Sequence, residues 1–105
     1  MSSTREELHR IMALTRDMLA RAEAGAWDEL IRLEGRRAAM LAHYFSVTRE
    51  TGVDAGDAAC VHELLELNDR ILHLGKRQRE LLSETLSESH RQRDAAARYR
   101  QTRAG

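Results

Sequence analysis

The segment Ala22 to Leu41, AEAGAWDELIRLEGRRAAML, constrains the fold more than any other part of the chain. A single glycine, Gly25, stands between two stretches whose apolar residues recur every three or four positions. It therefore reads as the stop between two amphipathic helices. Helices joined by so short a turn run antiparallel. With Trp27 as zero and about 100° per residue, Leu30, Ile31, Ala38, Leu41 and Phe45 fall within about 60° of it and make up the expected inner stripe of the second helix. Glu34 falls in the same stripe. A carboxylate in an apolar stripe needs a partner.

The first helix is expected over about residues 4–24. Ser3 and Thr4 each offer a capping hydroxyl, with Glu6 and Glu7 three residues on. Its apolar face reads Leu8, Ile11, Met12, Thr15, Met18, Leu19 and Ala22. The second helix is expected over about residues 26–47, with Asp28 and Glu29 in its first turn, where the helix dipole favours negative charge. SVTRETGVDAGD, residues 46–57, holds two glycines without periodicity and reads as a loop, with Asp57 as the cap of the third helix.

The third helix is expected over about residues 58–87. Its stripe of Cys60, Val61, Leu64, Leu67, Asn68, Ile71, Leu72, Leu74, Gly75, Leu81, Leu82 and Leu86 spans roughly 200°, wider than packing against one surface requires. At about 1.5 Å per residue the first two helices are each roughly 30 Å long, so beyond about residue 80 the third has outrun them. Residues 88–103 contain no helix breaker. They are expected either to extend the third helix or to fold back after a kink near Ser87 to His90 as a short fourth one, with the Ala95 to Ala97 run and Tyr99 as contact face. Otherwise another chain, a second copy included, covers the overhang. The fold expected is all-α, an antiparallel three-helix bundle with a long third helix.

Counting levels along antiparallel helices places Thr15, Asn68 and Gly75 near the height of Glu34. A structural polar layer is expected in which Thr15 or Asn68 bonds to the Glu34 carboxylate, with Arg37 or Arg79 neutralising it. Such a layer sets helix register and performs no chemistry.

Composition narrows the function classes. Seventeen basic and seventeen acidic residues cancel, which argues against a dedicated nucleic-acid binder. From Glu88 onward, however, five arginines face two acids, leaving +3 there and −3 on the rest. The single cysteine, Cys60, rules out an internal disulfide, and the N-terminus lacks the apolar run of a secretory signal, so a cytoplasmic setting is expected. No stretch approaches the roughly 20 apolar residues of a membrane helix, and no membrane insertion is expected. The five histidines are never three or four apart, and His62 with Glu63 lacks the second histidine of H-E-x-x-H, so no metal is expected. Cys60 and His62 point apart at i, i+2. No glycine-rich phosphate loop or nucleophile elbow is present, and neither catalysis nor a cofactor is expected.

AGAWDELIRLEGRRAAML, succeeded by a hairpin loop and a long helix reading LLELNDRILHLGKRQREL, resembles the FliT-type flagellar type III export chaperones. The resemblance rests on Gly25, Trp27, Asp28, Leu30 and Glu34, on Asn68, Ile71, Leu72 and Arg79, and on Tyr99 after an alanine run. It covers most of the chain. It implies a cytoplasmic protein that binds the C-terminal region of the filament-cap protein, keeps it from assembling early and delivers it to the export ATPase complex and export gate. Some members of that family also restrain the flagellar master transcriptional activator. A client helix laid in a groove fits the surplus apolar surface of the third helix. The groove is assigned to Leu64, Leu67, Ile71, Leu74 and Leu81, with Tyr99 on a covering tail.

Two alternatives come from other classes. A self-associating coiled coil or adaptor would pair the overhang with its own copy. A small helical enzyme of the chorismate mutase type has a similar length, but it needs an unbroken first helix and inward-facing cations, whereas Gly25 breaks the first helix here.

Overall fold

The computed structural model describes residues 4–104, and among them there are three helices and no strand: α1 Thr4–Glu23, α2 Trp27–Thr51 and α3 Ala55–Ala104. The chain divides into two compact units, one ending at Leu74 and the other beginning at Gly75. The all-helical bundle expected from the periodicity is the fold observed.

In the first unit α1 buries Leu8, Ile11, Met12, Thr15, Met18, Leu19 and Ala22, residue for residue the stripe read from the 3-4 spacing. The helix already includes Thr4, and Ser3, the other expected cap, lies outside the described residues. At its other end Gly25 takes φ +74°. Its N–H donates to the carbonyl of Ala22 at 3.1 Å, and the N–H of Ala26 donates to that of Arg21 at 2.8 Å. This paired closure of the last carbonyls needs a left-handed residue, which glycine supplies without a Cβ penalty.

The second helix departs from the sequence reading in length. It continues to Thr51 instead of ending near residue 47, and the expected loop over residues 46–57 shrinks to Gly52–Asp54. The threonines that suggest a loop stay helical because their hydroxyls bond back one turn, Thr48 to the carbonyl of Tyr44 at 3.0 Å and Thr51 to that of Val47 at 3.2 Å. Asp54, not Asp57, caps α3: its side chain accepts from the N–H of Gly56 at 3.0 Å and its carbonyl from those of Asp57 and Ala58. Asp57 is buried instead and accepts from Arg5 Nε at 3.0 Å, while Arg5 also reaches Asp54 at 3.1 Å. A hollow of about 550 Å³ beside them is lined by Arg5, Thr48, Thr51, Asp54 and Asp57, with the one arginine shared between both aspartates.

The second helix also departs in rotation. Its inward residues are Leu30, Leu33, Arg37, Met40, Leu41, Tyr44 and Thr48. Ile31, Ala38 and Phe45, expected inside, are exposed. The buried face is turned by roughly 90° from the Trp27 direction. Tyr44 accounts for much of this, because the most voluminous fully buried side chain stands on that face and meets Leu8, Ile11, Met12 and Leu64.

The early part of α3 closes this core. Leu64 joins the cluster around Tyr44, Ile71 joins Met18 and Leu19, and Leu67 packs against both. Arg16 on α1 pairs with Glu63 at 3.0 Å. In the second unit the helix passes through Ser87 to His90 and continues to Ala104, so residues 88–103 extend α3 and do not start a separate fourth helix. Here too hydroxyls bond back into the helix, Thr85 to the carbonyl of Leu81 and Thr102 to that of Arg98.

Tyr44 carries a cost as well as a core. Its ring is fully buried and its hydroxyl has no hydrogen-bond partner among the described residues. Burial pushes its ionisation up, reinforced by the negative charge of Asp57, Cys60, Asp54 and Glu7. A phenol that holds its proton more tightly when folded contributes stability that is complete below the unfolded value of about 10 and is lost as pH rises beyond it. Tyr44→Phe should therefore leave stability at pH 7 unchanged or raise it by up to about 1 kcal/mol, since the hydroxyl it removes is unpaired. The same substitution should flatten the loss of stability above about pH 10 in urea titrations. The Cys60 thiol, pushed up mainly by burial, begins its loss at lower pH and is common to both proteins.

Candidate functional site

Among the described residues no group of three His, Cys, Asp or Glu side chains could hold a metal ion, and no helix is long and apolar enough to cross a membrane. Besides the Arg5–Asp57 pair already described, the fold presents a buried polar cluster across the three helices and exposed apolar side chains on both units.

The cluster is centred on Arg37, only 6% exposed. Its Nη2 donates to Glu34 Oε2 at 2.7 Å and to Asn68 Oδ1 at 2.9 Å, and its Nη1 donates more weakly to Thr15 Oγ1 at 3.4 Å. Thr15 spends its own proton on the carbonyl of Ile11 at 2.8 Å. The structure thus brings Thr15, Glu34 and Asn68 together, one from each helix, but in a different arrangement from the one expected. Glu34 is not the buried centre, its side chain being 48% exposed. Thr15 and Asn68 bond to the guanidinium and not to the carboxylate. Arg79 takes no part; it lines a hollow on the second unit. A guanidinium can hold three acceptors in fixed directions, so a single side chain ties the three helices at one level.

The five residues assigned to a client groove separate in the structure. Leu64 and Ile71 are core, while Leu67 and Leu74 are partly buried against it. These four are engaged in holding the first unit together. Only Leu81 stands exposed. Half exposed, it lies with the more exposed Leu82, Leu86 and Tyr99 in the second unit. Leu82 and Leu86, with Arg79, Ser83, Ser87 and His90, line an open hollow of about 430 Å³ there.

The other apolar surface lies on the first unit and is hidden from the sequence by the rotation of α2. Ile31 is 65% exposed and Phe45 42% on α2; on α3 Leu65 and Leu72 are 56% and 60% exposed. Helical register relates each pair to a residue of the Arg37 cluster. Ile31 and Phe45 are three residues before and eleven after Glu34, and Leu65 and Leu72 are three before and four after Asn68. A monomer that leaves such side chains in water has a use for them more often than one that scatters single apolar residues.

The family is decided by the sequence pattern as a whole. A family model described as flagellar protein FliT matches residues 5–101. The chain belongs to the FliT family. That family is one of flagellar export chaperones, not of enzymes, and the match runs through both units of the chain. Curated proteins and solved structures yielded no match.

Proposed function

We propose that this FliT-family chain is the chaperone of the flagellar filament-cap protein. In this reading it binds the C-terminal region of that client in the cytoplasm, prevents its premature assembly and passes it to the export ATPase complex and the export gate. The observation that carries the reading is the pairing of family membership with exposed leucine, isoleucine and phenylalanine side chains on an otherwise highly charged surface. A client helix offers the apolar face that such side chains require. Of the residues read from sequence as the groove, Leu81 keeps that role, and Leu64, Leu67, Ile71 and Leu74 act by holding the core of the first unit together. The flagellar master transcriptional activator is a further partner in the same reading.

The test is capture of the C-terminal segment of the filament-cap protein from the same organism by the full-length chain. Retention with micromolar or tighter affinity is the expected result, and loss of retention at low salt and high concentration would remove the proposal. The covering role of Tyr99 is read in the same assay: a covering tail predicts tighter capture by Tyr99→Ala, and unchanged capture rules it out.

A further inference from the structure

We infer that the groove between α1 and α2, on the flank of the first unit turned away from α3, is a docking site for an acidic amphipathic helix of a partner protein, gripped by Arg10 and Arg36. The site goes beyond the chaperone reading and does not depend on the identity of the client.

Two interhelical pairs mark the ends of this groove. Glu7 meets His43 Nδ1 at 2.7 Å, and Arg21 meets Glu29 at 3.0 Å. Between them lies an open hollow of about 420 Å³. Leu14, Leu33 and Met40 are half-buried at its floor, and Arg10 and Arg36 stand exposed at its walls. Arg5 and Arg16, which reach Asp57 and Glu63 of α3, stand on the other flank of α1. Counting inward from the end pairs along antiparallel helices sets Arg10 level with Met40, and Leu14 level with Arg36. The two arginines therefore face each other diagonally, about one helical turn or roughly 6 Å apart in height. From Glu7 to Arg21 the groove runs roughly 20 Å, the length of a helix of about four turns.

Charge selects the occupant. The acids along the groove are already engaged, Glu7 by His43, and Asp17 and Glu29 by the one guanidinium of Arg21. The cations in its middle are not. Arg36 has neither an ion pair nor a side-chain hydrogen bond among the described residues, and neither has Arg32 one turn before it. Arg10 meets Glu6 of its own helix at 3.8 Å, both side chains being open to water. Residues before Glu88 sum to −3, so free cations here are a local arrangement and not the general charge of that surface. A helix that lays an apolar stripe on Leu14, Leu33 and Met40 brings its flanking positions to the two walls. Carboxylates one turn apart, on opposite sides of the stripe, meet Arg36 and Arg10 in the geometry a guanidinium favours. Lysines at those positions would meet like charge, and glutamines would forgo the charge-assisted bonds.

The experiment measures fluorescence anisotropy with the full-length chain and three labelled, designed helices of about four turns. They share one leucine stripe and carry glutamate, glutamine or lysine at the two flanking positions. The glutamate helix is expected to bind about tenfold more tightly than the glutamine helix, with the lysine helix weakest, and its advantage should shrink as salt rises. Arg10→Glu and Arg36→Glu, at exposed positions and checked for unchanged helicity, should each weaken the glutamate helix by about tenfold. The chain carrying both substitutions should prefer the lysine helix, a reversal that loss of folding could not produce. Arg93→Glu in the second unit should leave all three affinities unchanged. Equal binding of the glutamate and glutamine helices overturns the inference, as does failure of all three to bind. A glutamate helix that ignores both groove substitutions but is lost in Arg93→Glu also overturns it, since the arginine-rich end of α3 would then be the site. So does light scattering that shows a dimer lost in Arg36→Glu, because the occupant would then be a second copy.

Discussion

Arg37→Ala should lower the unfolding free energy by about 2–4 kcal/mol, a large share of the 5–15 kcal/mol typical of a small domain. The guanidinium is almost wholly buried and donates to acceptors from all three helices. Removing it strands the carboxamide oxygen of Asn68, takes one bond from Glu34 and opens a cavity at the level where the helices meet. The figure falls short of what a fully buried ion pair would lose, because Glu34 is half exposed and its charge is screened by water. Glu34→Gln, which keeps an acceptor for Arg37, should by the same reasoning cost no more than about 0.5–1 kcal/mol. Arg37→Met, which preserves the packing of the stem, should fall between the two. Urea unfolding with unchanged m-values measures all three. Equal losses for Glu34→Gln and Arg37→Ala would place the carboxylate, not the guanidinium, at the centre.

Leu64→Ala should cost about 2–5 kcal/mol, whereas Leu81→Ala should stay within about 0.5 kcal/mol of wild type. Both leucines belong to the wide apolar stripe of α3, yet one is 4% exposed and the other 50%. Leu64 fills the space between Leu8, Ile11, Met12 and Tyr44, and its truncation leaves a void that the surrounding side chains only partly collapse into. Leu81 has no such neighbours to lose. Thermal or urea denaturation of the two variants side by side distinguishes a core position from a surface one. A loss above about 1 kcal/mol at Leu81 would mean that its surface is covered in solution.

The two helices that flank Gly25 show how far periodicity reaches. For α1 the 3-4 spacing identifies every buried residue, because the stripe is apolar apart from Thr15 and no competing stripe exists on that helix. For α2 the same method selects Ile31, Ala38 and Phe45, which lie outside, and passes over Arg37, Tyr44 and Thr48, which lie inside. Hydropathy cannot favour a face built from an arginine, a tyrosine and a threonine over one built from isoleucine, alanine and phenylalanine. A local signal did exist: Leu30, Leu33, Arg37, Met40, Tyr44 and Thr48 keep helical spacing from end to end, and Arg37 lies one turn from Glu34. Its weight becomes visible only when Thr15 and Asn68 supply the acceptors.

Glu34 obeys the same logic. Level counting along antiparallel helices brings Thr15 and Asn68 to its height, since that depends only on rise per residue and on the position of the turns. Which of four polar side chains occupies the middle depends on rotation about each helix axis, and rotation is settled by packing around Tyr44. The loop between α2 and α3 shows a smaller version of this, with threonines that suggest an end to the helix bonding back into it instead.

By itself, then, the amino-acid sequence determined the all-helical class, the stop at Gly25, the inner face of α1 and, through the pattern from Arg5 to Gln101, membership in the FliT family. These depend on local spacing, on the backbone freedom of one glycine and on residue identities summed along the chain. Only the tertiary structure decided that Arg37 is the buried cation, that Leu64 and Ile71 are core while Leu81 is surface, that Ile31, Phe45, Leu65 and Leu72 stand exposed, and that residues 88–103 continue α3. An amphipathic pattern states that a helix has an apolar side. The direction in which that side turns depends on the volumes and hydrogen-bonding groups of the helices packed against it, and those come from residues distant in sequence.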